Sequence, residues 1–225
     1  MSAVKQAMPT TPIVFALVGD PVGLGMIASL ARPGGTVTGM SLMLPDTASK
    51  RIELLQEVVR DLRRLAIMAN ITFADAQLHL SEVQKLGNKL GLELTTLEIR
   101  RPEDISPAFD SLQDRAQALY VCDDPLLATH RIRINTLAQS AHLPTMYGLR
   151  VFVEGGGLMS YGPKMPDMFR RTAELVDKIL RGTKPADLSV EQPTQFDLVL
   201  NMTTAKALRI RLPPSLLNRA DELID

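Results

Sequence analysis

A lone cysteine, no net charge and no long apolar run bound what this sequence of 225 residues does. Cys122 has no second cysteine to pair with, so an internal disulfide and any cysteine-rich zinc site are excluded. The 25 basic and 25 acidic side chains cancel to a formal net charge of +0. Such a chain has no broad electrostatic field for gripping a phosphate backbone, so nucleic acid is not expected as a partner. Arg63-Arg64 and Arg100-Arg101 are too short and isolated to change that. No apolar stretch approaches the roughly 20 residues that span a membrane as a helix. Met1, Ser2, Ala3, Val4, Lys5 and Gln6 form no apolar leader core. No signal peptide is expected, and a genuine start at Met1 implies a cytoplasmic chain.

Catalytic constellations are also missing. There is no G-x-S-x-G elbow and no G-x-x-x-x-G-K-[ST] phosphate loop. His79, His130 and His142 lie at no metal-ligand spacing. His79 falls on the polar face of its helix, and all three read as surface residues. Gly23, Gly25 and Ala28 fit a dinucleotide fingerprint formally. Four residues separate them from the preceding strand, however, and the next strand ends without an acidic residue for a ribose. Neither a cofactor nor an enzymatic activity is expected.

What is present is an α/β rhythm. Residues 12–18 (PIVFALV) are almost wholly apolar, as suits a parallel strand buried on both faces. Further strands are expected at 37–41, 65–69, 92–99, 118–122, 144–147, 157–161 and 196–201. Helices are expected between them. One is capped by Asp46 with Ile52, Leu55 and Val59 inward, and one places Ala76, Leu80, Val83, Leu86 and Leu90 on a single stripe. Others span 103–115 and 127–141, and one opens at Pro166 and stops at Gly182, before a short helical tail. Alternating strands and helices imply parallel sheet covered by helices on both faces. The polar stretch 182–194, with Pro185 and Pro193, is the linker or hinge candidate.

In open parallel sheets ligands bind beyond the carboxyl ends of the strands, where loops carry polar groups without burying them unpaired. That rule selects Gly19, Asp20, Ser41, Asn70, Asp124, Tyr147, Tyr161 and Gly162 as ligand-binding candidates. Each has a plainer role open to it. Asp20 suits a cap, Asp124 before Pro125 suits a turn, Asn70 suits a turn, and Tyr161 suits a buried ring with a satisfied hydroxyl. Asp123 reads as a solvated cap, and Cys122 as inert core.

Several ordered segments resemble one family. They include Val18-Gly19-Asp20-Pro21-Val22-Gly23, Ala31-Arg32-Pro33-Gly34-Gly35, Lys50-Arg51-Ile52-Glu53, Asp124-Pro125-Leu126 and Tyr147-Gly148-Leu149-Arg150. Gly156-Gly157-Leu158-Met159-Ser160-Tyr161-Gly162-Pro163 is the strongest, and Glu191-Gln192-Pro193-Thr194 and Pro213-Pro214-Ser215-Leu216-Leu217 complete the set. This pattern resembles ABC transporter substrate-binding proteins of the periplasmic type I kind, a group that includes aromatic-amino-acid binders. The resemblance implies two Rossmann-like lobes closing on a small solute, such as an amino acid or related compound, in the cleft between them. It implies a permease partner, a periplasmic location, and Asp20 and Ser41 facing the ligand from one lobe with Asp124 and Tyr161 from the other. Lobe one is expected over 1–42 and 163–184, and lobe two over 43–162 and 185–225. Members begin well upstream of this chain, so lobe one is expected to be incomplete, with an open edge on strand 12–18 that invites self-association. Aromatic-amino-acid binders carry Thr-Asp-Asn where this chain has Cys122-Asp123-Asp124, which argues for a different ligand. The effector-binding core of a lac-repressor-type regulator shares this architecture but needs a helix-turn-helix that this chain lacks. A nucleotide-dependent Rossmann enzyme is the remaining alternative.

Overall fold

A computed structural model describes residues 7, 9–42, 44–112 and 115–225, apart from the side chains of 44–46. The expected Asp46 cap therefore lies outside the described residues. The described chain divides into two compact units. One runs up to Leu44 and includes Pro163–Gln195; the other comprises Pro45–Gly162 and Phe196–Asp225.

The first unit is built on β1 (Ile13–Val18) and β2 (Val37–Ser41), paired in parallel. The stretch 182–194 belongs with it because its backbone is bonded there. Val190 N donates to Leu30 O at 2.8 Å, Ser41 N to Glu191 O at 2.9 Å, and Thr38 Oγ1 to Leu188 O at 3.0 Å. Alternation along the strands sends side chains to opposite faces. Phe15 and Val37 pack with Ile27 and Val190 on one face, and Met40 packs with Met168 and Leu175 on the other. Gly23 and Gly25 lie in a run of turns that opens no helix, so the formal dinucleotide fingerprint lacks the helix N-terminus it needs.

The second unit holds β3 (Arg64–Asn70), β4 (Glu93–Ile99), β5 (Ala118–Val121), β6 (Thr145–Tyr147), β7 (Met159–Pro163), β8 (Phe196–Asn201) and β9 (Glu222–Ile224). They form one sheet in the order β4-β3-β5-β6-β7-β8-β9, with parallel pairing from β4 through β7 and between β8 and β9. Leu65, Ile67 and Ala69 of β3 join Tyr120 and Cys122 in the core on one face. Ala66 and Met68 join Leu119 and Val121 in the core on the other. Burying both faces explains why these strands read as continuous apolar runs. Each fully buried large aliphatic side chain contributes about 1.5–3 kcal/mol.

The helices in chain order are α1 (Leu44–Val58), α2 (Ala74–Lys89), α3 (Ile105–Asp110), α4 (Pro125–Thr129), α5 (Arg131–Ser140), α6 (Arg150–Glu154), α7 (Met165–Leu180), α8 (Met202–Ala207) and α9 (Pro214–Leu217). The helix expected over 127–141 is two helices broken at His130, because Asp124 caps a first turn that starts earlier, at Pro125. The helix expected over 103–115 becomes a 3-10 turn at Pro102–Asp104 followed by the short α3. Helix α6 and strand β9 had no periodic signal, being five and three residues long.

Helix α2 buries Ala76 and Val83 and packs Leu80 and Leu86 against the core, as their stripe predicts, but its most buried line also takes in polar residues. Asp75, Ala76, His79, Val83 and Gly87 are buried, whereas Leu90 is 50% exposed. A Cβ on Gly87 would sit 2.8 Å from Leu94 Cδ2, so glycine lets the helix approach β4 along that line. His79 is therefore a core residue and not the surface residue its polarity predicts.

Candidate functional site

Strand order reverses between β3 and β5: the chain leaves β3 for β4 on one side, then returns to β5 on the other. Such a switch point opens a crevice at the strand carboxyl ends, because the two departing loops run in opposite directions. The residues delivered there are Asn70, which ends β3, and Asp124, which follows β5. Asn70 Nδ2 donates to Asp124 Oδ2. Asn70 Oδ1 accepts from Thr72 N at 3.0 Å and from Thr72 Oγ1 at 2.7 Å, which fixes the amide orientation.

Asp124 caps α4, its Oδ1 accepting from Leu127 N at 2.6 Å. Burial pushes its carboxyl up, opposed by the Leu127 N–H and the Asn70 amide. An ionised carboxylate offers about four acceptor positions; beside the Leu127 N–H, the Asn70 amide and the Leu126 N–H, room for a donor from a ligand remains. One Asn70 amide hydrogen also remains. Acceptors beside a donor fit an ammonium beside a carboxylate, the head group of an amino acid.

Behind this pair lies a polar network that no local sequence pattern signals. Arg51 of α1 is fully buried and sits 3.6 Å from Asp123, measured from Nη1 to Oδ2. Its Nε donates to Tyr161 O at 2.7 Å, and its Nη1 to the Tyr120 hydroxyl at 3.3 Å. His79 Nε2 lies 2.9 Å from that hydroxyl. A guanidinium only donates, so the Tyr120 oxygen accepts from Arg51 and passes its own hydrogen to His79 Nε2. The His79 ring proton is then on Nδ1.

Burial, and then the Arg51 charge, hold His79 well below its ordinary pKa and keep it neutral. Burial pushes the Asp123 carboxyl up while Arg51 opposes it. For Arg51 burial acts downward, and Tyr120 and Asp123 outweigh it, so the guanidinium stays charged. Asp123 is thus a buried partner of Arg51, 4% exposed, and not a solvated cap. Its Oδ1 also accepts from Gly148 N at 3.0 Å. Cys122 is buried with its thiol pushed up by burial, as inert core requires.

The remaining candidates divide by environment. Tyr147 is fully buried, stacked on Phe152 at 4.5 Å with its hydroxyl donating to Asn135 Oδ1. It lines the core beneath the strand ends. Tyr161 is half-buried and stacks on Phe196 at 5.7 Å. Gly162 is buried, and a Cβ there would fall 1.7 Å from Gly148 O, so the two backbones touch.

In the first unit, Asp20 Oδ1 accepts from Gly23 N at 2.8 Å and from Val22 N at 3.2 Å. Ser41 Oγ donates to the buried Gly19 carbonyl at 3.1 Å, tying the ends of β1 and β2 together. That unit also has an open cavity of about 520 Å³ whose walls include Met40, Arg170, Arg171, Glu174 and Glu191. Arg171 is already paired there with Glu174 and, through Nη2 at 2.9 Å, with Glu191. Among the described residues no cluster of three or more His, Cys, Asp or Glu is placed to hold a metal ion, and no helix is long and apolar enough to cross a membrane.

Residues 1–224 match the model of a family described as ABC transporter substrate binding protein. A Tyrosine-binding protein from Clostridioides difficile is 24% identical over 206 residues, which cover 92% of this chain but 59% of that protein's length. An ABC domain from Streptococcus pneumoniae, solved in complex with L-Trp, is 25% identical with a TM-score of 0.87, covering 95% of this chain and 73% of that one. A conserved domain protein from Vibrio cholerae is 28% identical with a TM-score of 0.90, covering 95% and 72%.

Proposed function

Because this chain belongs to the ABC transporter substrate-binding protein family, we propose that it binds a free amino acid for an ABC importer. The Asn70–Asp124 pair at the switch point carries this reading. Asp124 accepts from the ligand ammonium, and the spare Asn70 amide hydrogen goes to the ligand carboxylate. Tyr161, already stacked on Phe196, offers ring surface to the ligand body. Asp20 and Ser41 present the strand-end groups of the first unit. The names of two similar proteins, one for tyrosine and one solved with L-Trp, support an amino acid as the solute class. The chain then works in the periplasm and hands its solute to a permease without changing it chemically.

Isothermal titration with L-tyrosine, L-tryptophan and a panel of other L-amino acids tests the reading. At least one is expected to bind saturably, with Asp124→Ala weakening it at least tenfold, or about 1.4 kcal/mol. Saturable binding that Asp124→Ala leaves intact would remove this site from the reading.

A further inference from the structure

Three segments at the strand ends of the second unit converge on one guanidinium. Arg51 Nε holds the Tyr161 carbonyl at 2.7 Å, and Nη1 faces Asp123 Oδ2 at 3.6 Å. Through Asp123 Oδ1 the contact extends to Gly148 N at 3.0 Å. Gly148 is packed so closely that an added Cβ would lie 2.0 Å from Asp123 Oδ2 and 2.3 Å from Arg51 Nη2. Gly162, next to Tyr161, presses against the Gly148 carbonyl. The end of β5, the loop after β6 and the end of β7 are therefore joined through a side chain carried by α1.

We propose that Arg51 is the positioning residue of the solute site: without touching solute, it sets where Tyr161 and the Asp123-Asp124 turn stand. Three observations separate this from ordinary core packing. A cation fully removed from water is costly, and an apolar residue of that volume would fill the same space at less cost. Its Nε is committed to a backbone carbonyl at the end of β7, and Nη1, bonded to the Tyr120 hydroxyl, also faces the Asp123 carboxylate at 3.6 Å; both groups lie at strand ends, where ligand sites form in open parallel sheets. Its planar fork also reaches Tyr161 O, Asp123 and Tyr120 at once, which a lysine cannot do. The placing of Tyr161 and Asp123 relative to each other thus depends on one rigid group.

The inference rests on the solute-binding reading, and its test separates the two. The chain has 3 tyrosines, so labelling with 3-fluorotyrosine gives three assignable fluorine resonances. Tyr147, buried against Phe152, reports the fold, and Tyr161 reports the strand end. In Arg51→Lys the Tyr147 line is expected to stay in place while the Tyr161 line shifts or splits. Affinity for whichever of L-tyrosine and L-tryptophan binds the wild type should fall at least tenfold. Ile134→Val, which loosens the core of the same unit away from the strand ends, should move neither the Tyr161 line nor the affinity.

Should the Tyr147 line collapse in Arg51→Lys, Asp123→Asn takes its place. It keeps the acceptor for Gly148 N but drops the charge facing Nη1, and should shift the Tyr161 line less. An unchanged Tyr161 line in the folded variant overturns the proposal, as does a shifted line with unchanged affinity. If the wild type binds neither amino acid, the amino-acid reading loses its two best-supported solutes, and the Tyr161 line alone decides whether Arg51 sets that segment.

Discussion

The two units solve the same problem with different means. In the second, seven strands are covered on both faces, and Leu65, Ile67, Met68, Leu119 and Val121 are wholly buried. Its site residues rest on a buried charge network. In the first, two strands carry two small clusters of four buried side chains each; Asp20 rests on local turn bonds, and Ser41 ties the end of β2 to the Gly19 carbonyl. The first unit also shows Leu17, Phe169, Val176 and Leu180 to solvent at 39%, 52%, 39% and 81% exposure. Phe169, Val176 and Leu180 stand at helical spacing on one side of α7. The contrast teaches that a site's sensitivity follows what supports it. Polar groups backed by a buried ion pair are expected to feel distant changes more than Asp20, which is held by its own turn.

The largest expected effect is that of Arg51→Met. It leaves Asp123 buried without its cation and should cost about 3–5 kcal/mol in urea unfolding, while Asp20→Ala, half-buried at the start of a turn, should cost about 1 kcal/mol or less. Equal costs would break the comparison.

Next comes core truncation. Ile67→Ala should cost about 2–5 kcal/mol, with Leu175→Ala in the thinner first unit at the lower end, because a smaller cluster collapses more readily around a cavity. Gly148→Ala should cost about 1–3 kcal/mol by pushing into the Arg51–Asp123 pair, and differential scanning calorimetry measures it.

A smaller effect is titration of the second unit alone. His79 has a folded pKa well below the unfolded value of 6.5, so its contribution is fully present above pH 6.5 and is lost as pH falls below it. In that window the unfolded chain binds a proton that the folded one refuses, which removes up to about 1.4 kcal/mol per pH unit. Asp123, whose folded pKa is raised, acts in the opposite sense, gaining stability as pH falls through that value. His79→Gln should therefore flatten the stability profile between about pH 6.5 and 5. A profile as steep as the wild type would mean His79 is not the group responsible.

The smallest effect expected is at Leu180→Lys, within about 0.5 kcal/mol, since the side chain already faces water. A larger loss would mean that this face of α7 is covered in solution.

The sequence was legible where a period was long enough to read. Strand β3 and the paired apolar strands around it announced themselves as runs, and the strand-end rule selected Asn70 and Asp124 without any contact being visible. What was hidden depended on tertiary partners. Arg51 and His79 are polar residues on helices, and local pattern places such residues outside. Only the convergence of α1, α2 and β5 on one face of the sheet supplies the hydroxyl, imidazole and carboxylate that make their burial tolerable. A signal was nonetheless present in the family motif Lys50-Arg51-Ile52-Glu53, where Arg51 sits beside an apolar helical position. Tyr147 looked like a strand-end ligand group because strand ends are defined along the chain, whereas its ring direction is set by Phe152 and Asn135.

The most direct test of the central claim uses the absence of tryptophan from this chain, which lets the emission of L-tryptophan be read without protein background. Titrating the wild type and Asp124→Ala into L-tryptophan, with L-tyrosine and other amino acids as competitors, should give a saturable emission change or its displacement. Asp124→Ala should shift the curve at least tenfold to higher protein concentration. Superimposable wild-type and Asp124→Ala curves, or no saturable signal with any competitor or in direct titration of the same amino acids, would contradict the assignment of an amino-acid site to the switch point of the second unit.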